Sequence, residues 1–401
     1  MLNLEYLDEK ITNLILKLVG SESLEEFQSI VAKNPVLLTN RTFDLIDLLI
    51  EAAYDVEEDA IEPLLETRTI LAMYKEFGIE KLGEVVKMYD YEPPKQIRKN
   101  IQAIEKLKQQ YERRNDSKVI SKAIRLMDKV LSDPQFPETP APFQFEKLFD
   151  AAYLSIEAGM FMSDPEYLDK ALEHTTRASK LASDLAMSDE LKLLVGQIHT
   201  VKFTLTNEPR FADEAIRIYK AAINEMHDEF EKKAHVISSM AMLILQKVEL
   251  TKDPSQIDEA IRYFRKALSL SRKMEESYER TELFIDTHLM LGNACLTRAH
   301  FSQKVKDLNH AIKWYRTGLR ESVKETSSGQ RIQFLKGLSE AYFERYQFTK
   351  LEEDLYEANQ FITLGLSLTA DDEVDRYGIE ELARAILEAT KERGMGNDAM
   401  A

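Results

Sequence analysis

Apolar residues recur at helical spacing along most of the chain, and five of the amphipathic stretches align on one alanine: Ala171, Ala215, Ala260, Ala311 and Ala358. Four positions later comes a mostly bulky residue, which is Thr175, Tyr219, Phe264, Tyr315 or Ile362. Seven positions later comes a small one, which is Ala178, Ala222, Ala267, Gly318 or Gly365. Positions 0, +4 and +7 lie on one face of a helix. The pattern therefore predicts five helices with the same small–large–small packing face.

A second alignment supports the first. Nineteen residues before each alanine stands another small residue, in a second amphipathic stretch: Ala152, Gly196, Ala241, Gly292 and Ser339. The repeating unit is thus a longer helix A, a loop and a helix B, and the intervals between alanines are 44, 45, 51 and 47 residues. Three loops carry an acidic residue before proline, at positions 164–165, 208–209 and 253–254. Proline is tolerated in such a loop or in a first helical turn, but not in a helix interior.

Repeated helical hairpins with small-residue contacts resemble tetratricopeptide repeats (TPR), whose standard period is 34 residues. The period here is longer, and most of the usual Trp and Pro landmarks are missing. The long period, with the segments SLEEFQSIVAKNPVLLTNRTFDLIDLLIEAA and LLETRTILAMYKEFGIEKL, is similar to the TPR portion of bacterial TPR–CHAT proteins. No sheet-rich protease segment with a His and Cys dyad accompanies it. The resemblance implies an all-α fold, a right-handed α-solenoid of TPR-like hairpins with an N-terminal helical domain.

Composition agrees with an all-α fold, because 13 Gly and 11 Pro in 401 residues are too few for a turn-rich sheet protein. The longest apolar run is short, at residues 240–245, so we expect no membrane span. The acidic N-terminal stretch predicts no export signal, and the single Cys fits a reducing cytoplasmic location. A net charge of −17 argues against nucleic-acid binding by the whole surface.

The pattern predicts six segments. These are an N-terminal helical domain (1–92), a basic amphipathic segment (93–131), a Pro-rich linker (132–142), five TPR-like repeats (143–370), a C-terminal capping helix (371–393, beginning near Val374) and a disordered tail (394–401). Ser23 with Glu26 reads as a capping box in the first domain. A terminal cap is expected because each repeat buries its face only against its neighbours.

The basic segment stands out in an acidic chain, with eleven basic and four acidic residues between Lys95 and Lys129. Its candidate contact residues are Lys106, Arg113, Arg114 and Lys118. Read as one basic helix over 96–131, it could bind an acidic partner or a phosphate backbone. The alternative, which the general behaviour of charge runs favours, is a solvated face or an internal brace against the acidic repeats.

The sequence carries no catalytic or cofactor motif. Cys295 follows His288 by seven residues, which is about 10 Å along a helix and too far for a direct pair. His227, Glu231 and His235 share a helical stripe, but the repeat alignment places a turn across it. We therefore predict a structural Cys295, an exposed histidine face, and a protein that is not an enzyme and needs no cofactor or metal.

The remaining candidate surface is the concave groove that helices A line in TPR-like arrays. Counted from the small residue of helix A, positions +1 and +5 point together, and their mostly polar side chains are Tyr153, Glu157, Gln197, Gln246, Asn293, Thr297, Glu340 and Glu344. This column predicts a scaffold that binds a peptide or partner protein, with a preference for basic ligands at its C-terminal end. The alternatives are a regulatory subunit of a separately encoded CHAT-type protease and nucleic-acid binding through the basic segment. Homo-oligomerisation stays open.

Overall fold

The computed structural model describes residues 9–21, 24–54, 61–77, 91–114, 116–182, 188–226, 230–274, 277–322, 328–368 and 378–393. Within these ranges the regular structure is helical, without a β-strand. The helices are α1 (Glu9–Val19), α2 (Leu24–Lys33), α3 (Asn40–Tyr54), α4 (Ile61–Phe77), α5 (Lys95–Arg114), α6 (Ser117–Leu131), α7 (Ala141–Met162), α8 (Glu166–Ala182), α9 (Ser188–Thr206), α10 (Pro209–Glu225), α11 (Phe230–Thr251), α12 (Ile257–Ser271), α13 (Tyr278–Ser302), α14 (Val305–Ser322), α15 (Ser328–Thr349), α16 (Glu352–Ser367) and α17 (Ile379–Glu392). Short 3₁₀ turns lie at Pro35–Leu38, Phe136–Glu138 and Pro254–Gln256.

The chain divides into two compact units, residues 1–148 with 180–186 and residues 149–179 with 187–401. In the first unit, α1, α3 and α4 share an apolar core that includes Ile15, Ile46 and Leu71. The guanidinium of Arg68 on α4 donates two hydrogen bonds to the carboxylate of Asp47 on α3, at 2.5 and 3.1 Å. Helices α5 and α6 pack against each other.

The second unit is built from the predicted helix pairs. Helices α9, α11, α13 and α15 each pack on the next helix in sequence, so α9–α10, α11–α12, α13–α14 and α15–α16 are the A–B pairs of repeats two to five. Helices α7 and α8 form the first pair, whose small residues share one apolar cluster with α9. Helices α10, α12 and α14 also contact the A helix that follows each of them, and α11, α13 and α15 contact one another in order. The all-α solenoid prediction is confirmed.

The small–large–small face is the contact surface within each pair. All five anchor alanines are fully buried, and so are the small residues of the A helices. The aromatic residue four positions after the anchor lies on the small residue of its own A helix, because a Cβ built on Gly196 would stand 2.5 Å from the Tyr219 ring. In the fifth pair the hydroxyl of Ser339 donates a 2.7 Å hydrogen bond to the carbonyl of Ala358. The two alignments found in the sequence therefore meet in space.

Each A helix ends in the same backbone turn. The residues eight positions before the anchor alanines have a left-handed conformation with φ between 54° and 58°, and they are Ser163, Asn207, Lys252, Gln303 and Lys350. None is glycine, although this conformation favours glycine. In two loops the next residue is an aspartate whose carboxylate accepts a backbone N–H at the start of the following helical turn. The turn fixes the angle between helices A and B in every repeat.

A ladder of polar contacts joins successive repeats. Position +6 of each A helix from α9 onward is basic and reaches the residue two positions before the anchor alanine of the preceding B helix. The pairs are Lys202 with Asp169 at 2.5 Å, Lys247 with Asp213 at 2.5 Å, Arg298 with Asp258 at 2.6 Å, and Arg345 with Asn309 at 2.7 Å. Exposed pairs of this kind contribute little free energy individually. Their constant spacing shows that every repeat packs on its neighbour in the same register.

Some boundaries differ from the sequence interpretation. The basic segment forms two helices and not one, because Asp116 caps α6 by accepting a hydrogen bond from the backbone N–H of Lys118. The Pro-rich stretch is ordered around Phe136, whose side chain is buried. The last helix begins at Ile379, whereas Val374, Ser23 and the tail lie outside the described residues. Among the helices described, none has both the length and the apolar character needed to cross a membrane.

Gly292 and Gly365 provide a matched test of the packing. A Cβ on Gly292 would overlap the buried Tyr315 ring, whereas the nearest atom to a Cβ on Gly365 is 3.7 Å away. Overpacking costs about 1–3 kcal/mol, which exceeds the roughly 1 kcal/mol by which alanine favours a helix over glycine. Gly292→Ala should therefore lower the free energy of unfolding in urea, and Gly365→Ala should raise it by about 0.5–1 kcal/mol. Equal shifts in both variants would contradict the close A–B contact.

Candidate functional site

Three consecutive A helices, α11, α13 and α15, surround a cavity of about 880 Å³ in the second unit. Tyr315 of α14 also lines this cavity. The polar and charged lining consists of Gln246, Glu249, Lys252, Asn293, Thr297, His300, Gln333, Lys336 and Glu340. The apolar lining comes from Met242, Leu245, Leu289, Met290, Leu296 and Phe301. The cavity therefore offers hydrogen-bonding groups and apolar surface together.

Half of the residues proposed for the groove lie in this cavity. Gln246, Asn293, Thr297 and Glu340 line it, and Glu344 is hydrogen-bonded to the imidazole of His300 at its edge. The structure brings these five together, but the remaining three lie on earlier repeats.

The three candidates from the first two repeats do not reach the cavity. Tyr153 and Glu157 are exposed on α7, and Gln197 is half-buried on α9. The Tyr153 ring packs edge-on against Phe149, with 5.1 Å between ring centroids. Burial, with a smaller effect from the charge of Glu190, raises the pKa of the Tyr153 hydroxyl.

Two hydrogen bonds organise the polar lining. The hydroxyl of Tyr315 donates to Oδ1 of Asn293 at 2.7 Å, and the hydroxyl of Thr297 donates to Oε1 of Glu249 at 3.0 Å. Tyr315 is fully buried, and burial raises its pKa well above the usual value, so its hydroxyl stays a donor. The Asn293 amide is therefore oriented with its oxygen towards the core, and its NH₂ group remains to donate.

The C-terminal end of the cavity is acidic. Nε2 of His300 is hydrogen-bonded to the carboxylate of Glu344, and this contact raises the pKa of His300. Burial, followed by the charge of Glu344, raises the pKa of Glu340. Glu249 adds a further negative charge near His300. A cationic group entering the cavity would meet three carboxyl groups here.

Sequence reasoning missed Glu249 and His300, although a signal for them exists. Both stand at position +8 of their A helices, which continues the +1 and +5 column by one more turn. The two lysines of the lining, Lys252 and Lys336, were missed as well. Extending the column towards the loop would have found both Glu249 and His300.

The basic segment carries exposed side chains but no defined site. Lys106 on α5 and Lys118 on α6 are both exposed. The side chains of Arg113 and Arg114 lie outside the described residues. Nearby, Lys108 pairs with Glu105 at 3.4 Å within the same helix. Partner contact, solvated face and internal brace all stay predictions for this segment.

The remaining candidate chemistry lies in the core or on the surface. Cys295 is fully buried, and desolvation raises the pKa of its thiol to about 11, so the thiolate is disfavoured at neutral pH. His288 is also buried, where its Nδ1 donates to the carbonyl of Phe284 at 2.7 Å. Glu231 and His235 are exposed on α11, and His227 lies outside the described residues.

No protein-family model matches the sequence, and no curated protein matches it. Among solved structures, the chain is similar to the crystal structure of the P58(IPK) TPR domain, with 17% sequence identity over 96% of this chain and 99% of that chain. The TM-score is 0.25, and a likeness at this level carries no argument. The resemblance to TPR–CHAT proteins stays a prediction.

The pKa values of two histidines on α13 should be shifted in opposite directions from the ordinary value. His300 gains a carboxylate partner, so its pKa should lie above the ordinary 6.5, whereas burial should hold the pKa of His288 below it. The stabilisation from His300 is present below pH 6.5 and is lost as the pH rises through its raised pKa. An NMR titration of the imidazole protons, with His300→Gln to assign the signal, measures both values. A His300 that titrates below 6.5 would contradict the Glu344 contact.

Proposed function

We propose that this protein is a non-enzymatic interaction scaffold that binds an extended peptide segment of a partner protein in the cavity between α11, α13 and α15. The observation that carries this proposal is the alignment of side chains from three consecutive A helices around one open cavity. A volume of about 880 Å³ lies within the range of ligand pockets, roughly 300–1,000 Å³. It could admit a few side chains of a peptide.

The lining suits a peptide backbone. Gln246 and Gln333 are exposed side-chain amides, each of which has donors and an acceptor. The Asn293 amide, oriented by Tyr315, adds a fixed NH₂ donor. Peptide N–H and C=O groups need such partners when a bound segment leaves water. The scaffold is formed by packed helices, so little ordering of the site opposes binding.

The charge distribution favours a peptide with a basic side chain. Glu249, Glu340 and Glu344 lie at one end, where burial, followed by the negative charge of Glu344, raises the pKa of Glu340. A lysine or arginine side chain placed there would relieve this repulsion and form charge-assisted hydrogen bonds. Met242 of α11, which also lines the cavity, is 40% exposed and offers apolar contact.

A peptide-display selection against the purified protein tests the proposal. The peptides selected should share a Lys or Arg residue, and their affinity can then be measured by fluorescence anisotropy. Asn293→Arg combined with Glu340→Arg places two cations in the cavity, so the dissociation constant should rise at least tenfold, about 1.4 kcal/mol.

The control is Gln360→Arg combined with Glu353→Arg, two exposed residues of α16 outside the cavity lining. This variant makes the same change in net charge and should keep the affinity of the wild type. Peptides that bind both variants equally well would show that the cavity is not the binding surface. Circular dichroism should show the same helix content in all three proteins.

A further inference from the structure

His300, Glu340 and Glu344 form a compact group of ligand atoms at the acidic end of the cavity. One atom from each side chain, an imidazole nitrogen or a carboxylate oxygen, lies within 4.8 Å of the other two. Among the described residues, no other His, Cys, Asp and Glu side chains gather this closely in a group of three. The histidine makes the group more than an acidic cluster, because it supplies a nitrogen donor.

We propose that this triad is a binding site for a divalent transition-metal cation of the Zn²⁺ class. One imidazole and two carboxylates are ligands that zinc takes in proteins, at about 2.0–2.2 Å from the metal. Ligand atoms around one such ion lie about 3.3 Å apart, as tetrahedral geometry at those bond lengths requires. The three ligand atoms, all within 4.8 Å of one another, already lie close to that separation. Nitrogen coordination disfavours Mg²⁺ and Ca²⁺, which prefer oxygen ligands.

The helices present the ligands in a fixed arrangement. Glu340 and Glu344 are one turn apart on α15, so both carboxylates project from one helix face. His300 lies in the last turn of α13, which packs directly on α15. Tyr315 of α14 lies against Gly292 of α13 and Gly337 of α15, and so holds both helices in place. The site is therefore built on rigid elements, with three protein ligands and a remaining position towards the cavity.

The electrostatics of the site also favour a cation. Two carboxylates lie side by side, Glu340 is partly shielded from water, and Glu249 contributes a third negative charge. Lys336 contributes one positive charge near Glu340. An imidazole nitrogen and a carboxylate must be deprotonated to bind a metal ion, so cation binding at this site should weaken in acid.

The experiment uses the full-length protein, freed of metal by dialysis against a chelator, and Zn²⁺ alone as the ligand. Isothermal titration calorimetry should show one equivalent of Zn²⁺ bound with micromolar or tighter affinity. Co²⁺ in its place should give d–d absorption bands typical of a low-coordinate site, and a tenfold excess of Mg²⁺ should not displace it. A bound Zn²⁺ would occupy carboxylates that are also proposed to receive a basic peptide side chain. The titration is therefore carried out without peptide, and its outcome does not depend on the proposed peptide binding.

Variants separate this site from adventitious binding. His300→Ala and the isosteric Glu344→Gln should each weaken Zn²⁺ binding at least tenfold, whereas His235→Ala removes an exposed histidine on α11 and should change nothing. The Glu344→Gln variant keeps the test valid should His300→Ala perturb the fold. Zn²⁺ binding that is absent in the wild type, or equally tight in His300→Ala and Glu344→Gln, would overturn the proposal.

Discussion

The contact between a small residue of helix A and a bulky residue of helix B is the interaction on which the rest of the structure depends. Gly196 lies under Tyr219, and Gly292 lies under Tyr315, so close that a methyl group would not fit at either glycine. A ring held against a backbone fixes both the distance between two helices and their rotation about their axes. Because the same contact recurs in successive pairs, every A helix presents the same face to its neighbours.

This constraint explains how distant residues share one cavity. The packing face fixes which positions of an A helix turn away from helix B, and the +6 ladder shows that each A helix keeps the same register against the preceding B helix. Side chains at +1 of α11, α13 and α15, and at +5 and +8 of α11 and α13, are consequently brought side by side. As a result, Gln246 and Glu340 line the same cavity although nearly a hundred positions separate them in the sequence.

The fold could be predicted from the sequence because its determinants are local and repeated. The anchor alanines and their −19, +4 and +7 partners are visible as a pattern, and all are buried where the pattern placed them. The candidate site could be predicted from the sequence only in part. Helical geometry gave Asn293 and Glu340 the right face, but it could not show that Tyr153 lies far from the cavity. The position of the cavity depends on where packed side chains leave space, and tertiary packing decides this.

Tyr315 links stability to the candidate site more directly than any lining residue. Its ring fills the space that Gly292 and Gly337 leave on two neighbouring A helices, and its hydroxyl orients the Asn293 amide in the cavity. The equivalent bulky residues of the first two repeats are Thr175 and Tyr219. The hydroxyl of Tyr219 lies 3.2 Å from the hydroxyl of Thr200, which belongs to the A helix of the same repeat. A tyrosine flanked by two glycines therefore lets α13 and α15 approach while a polar group still reaches the cavity. The same arrangement holds α13 and α15 side by side where the carboxylates of α15 and the imidazole of α13 converge.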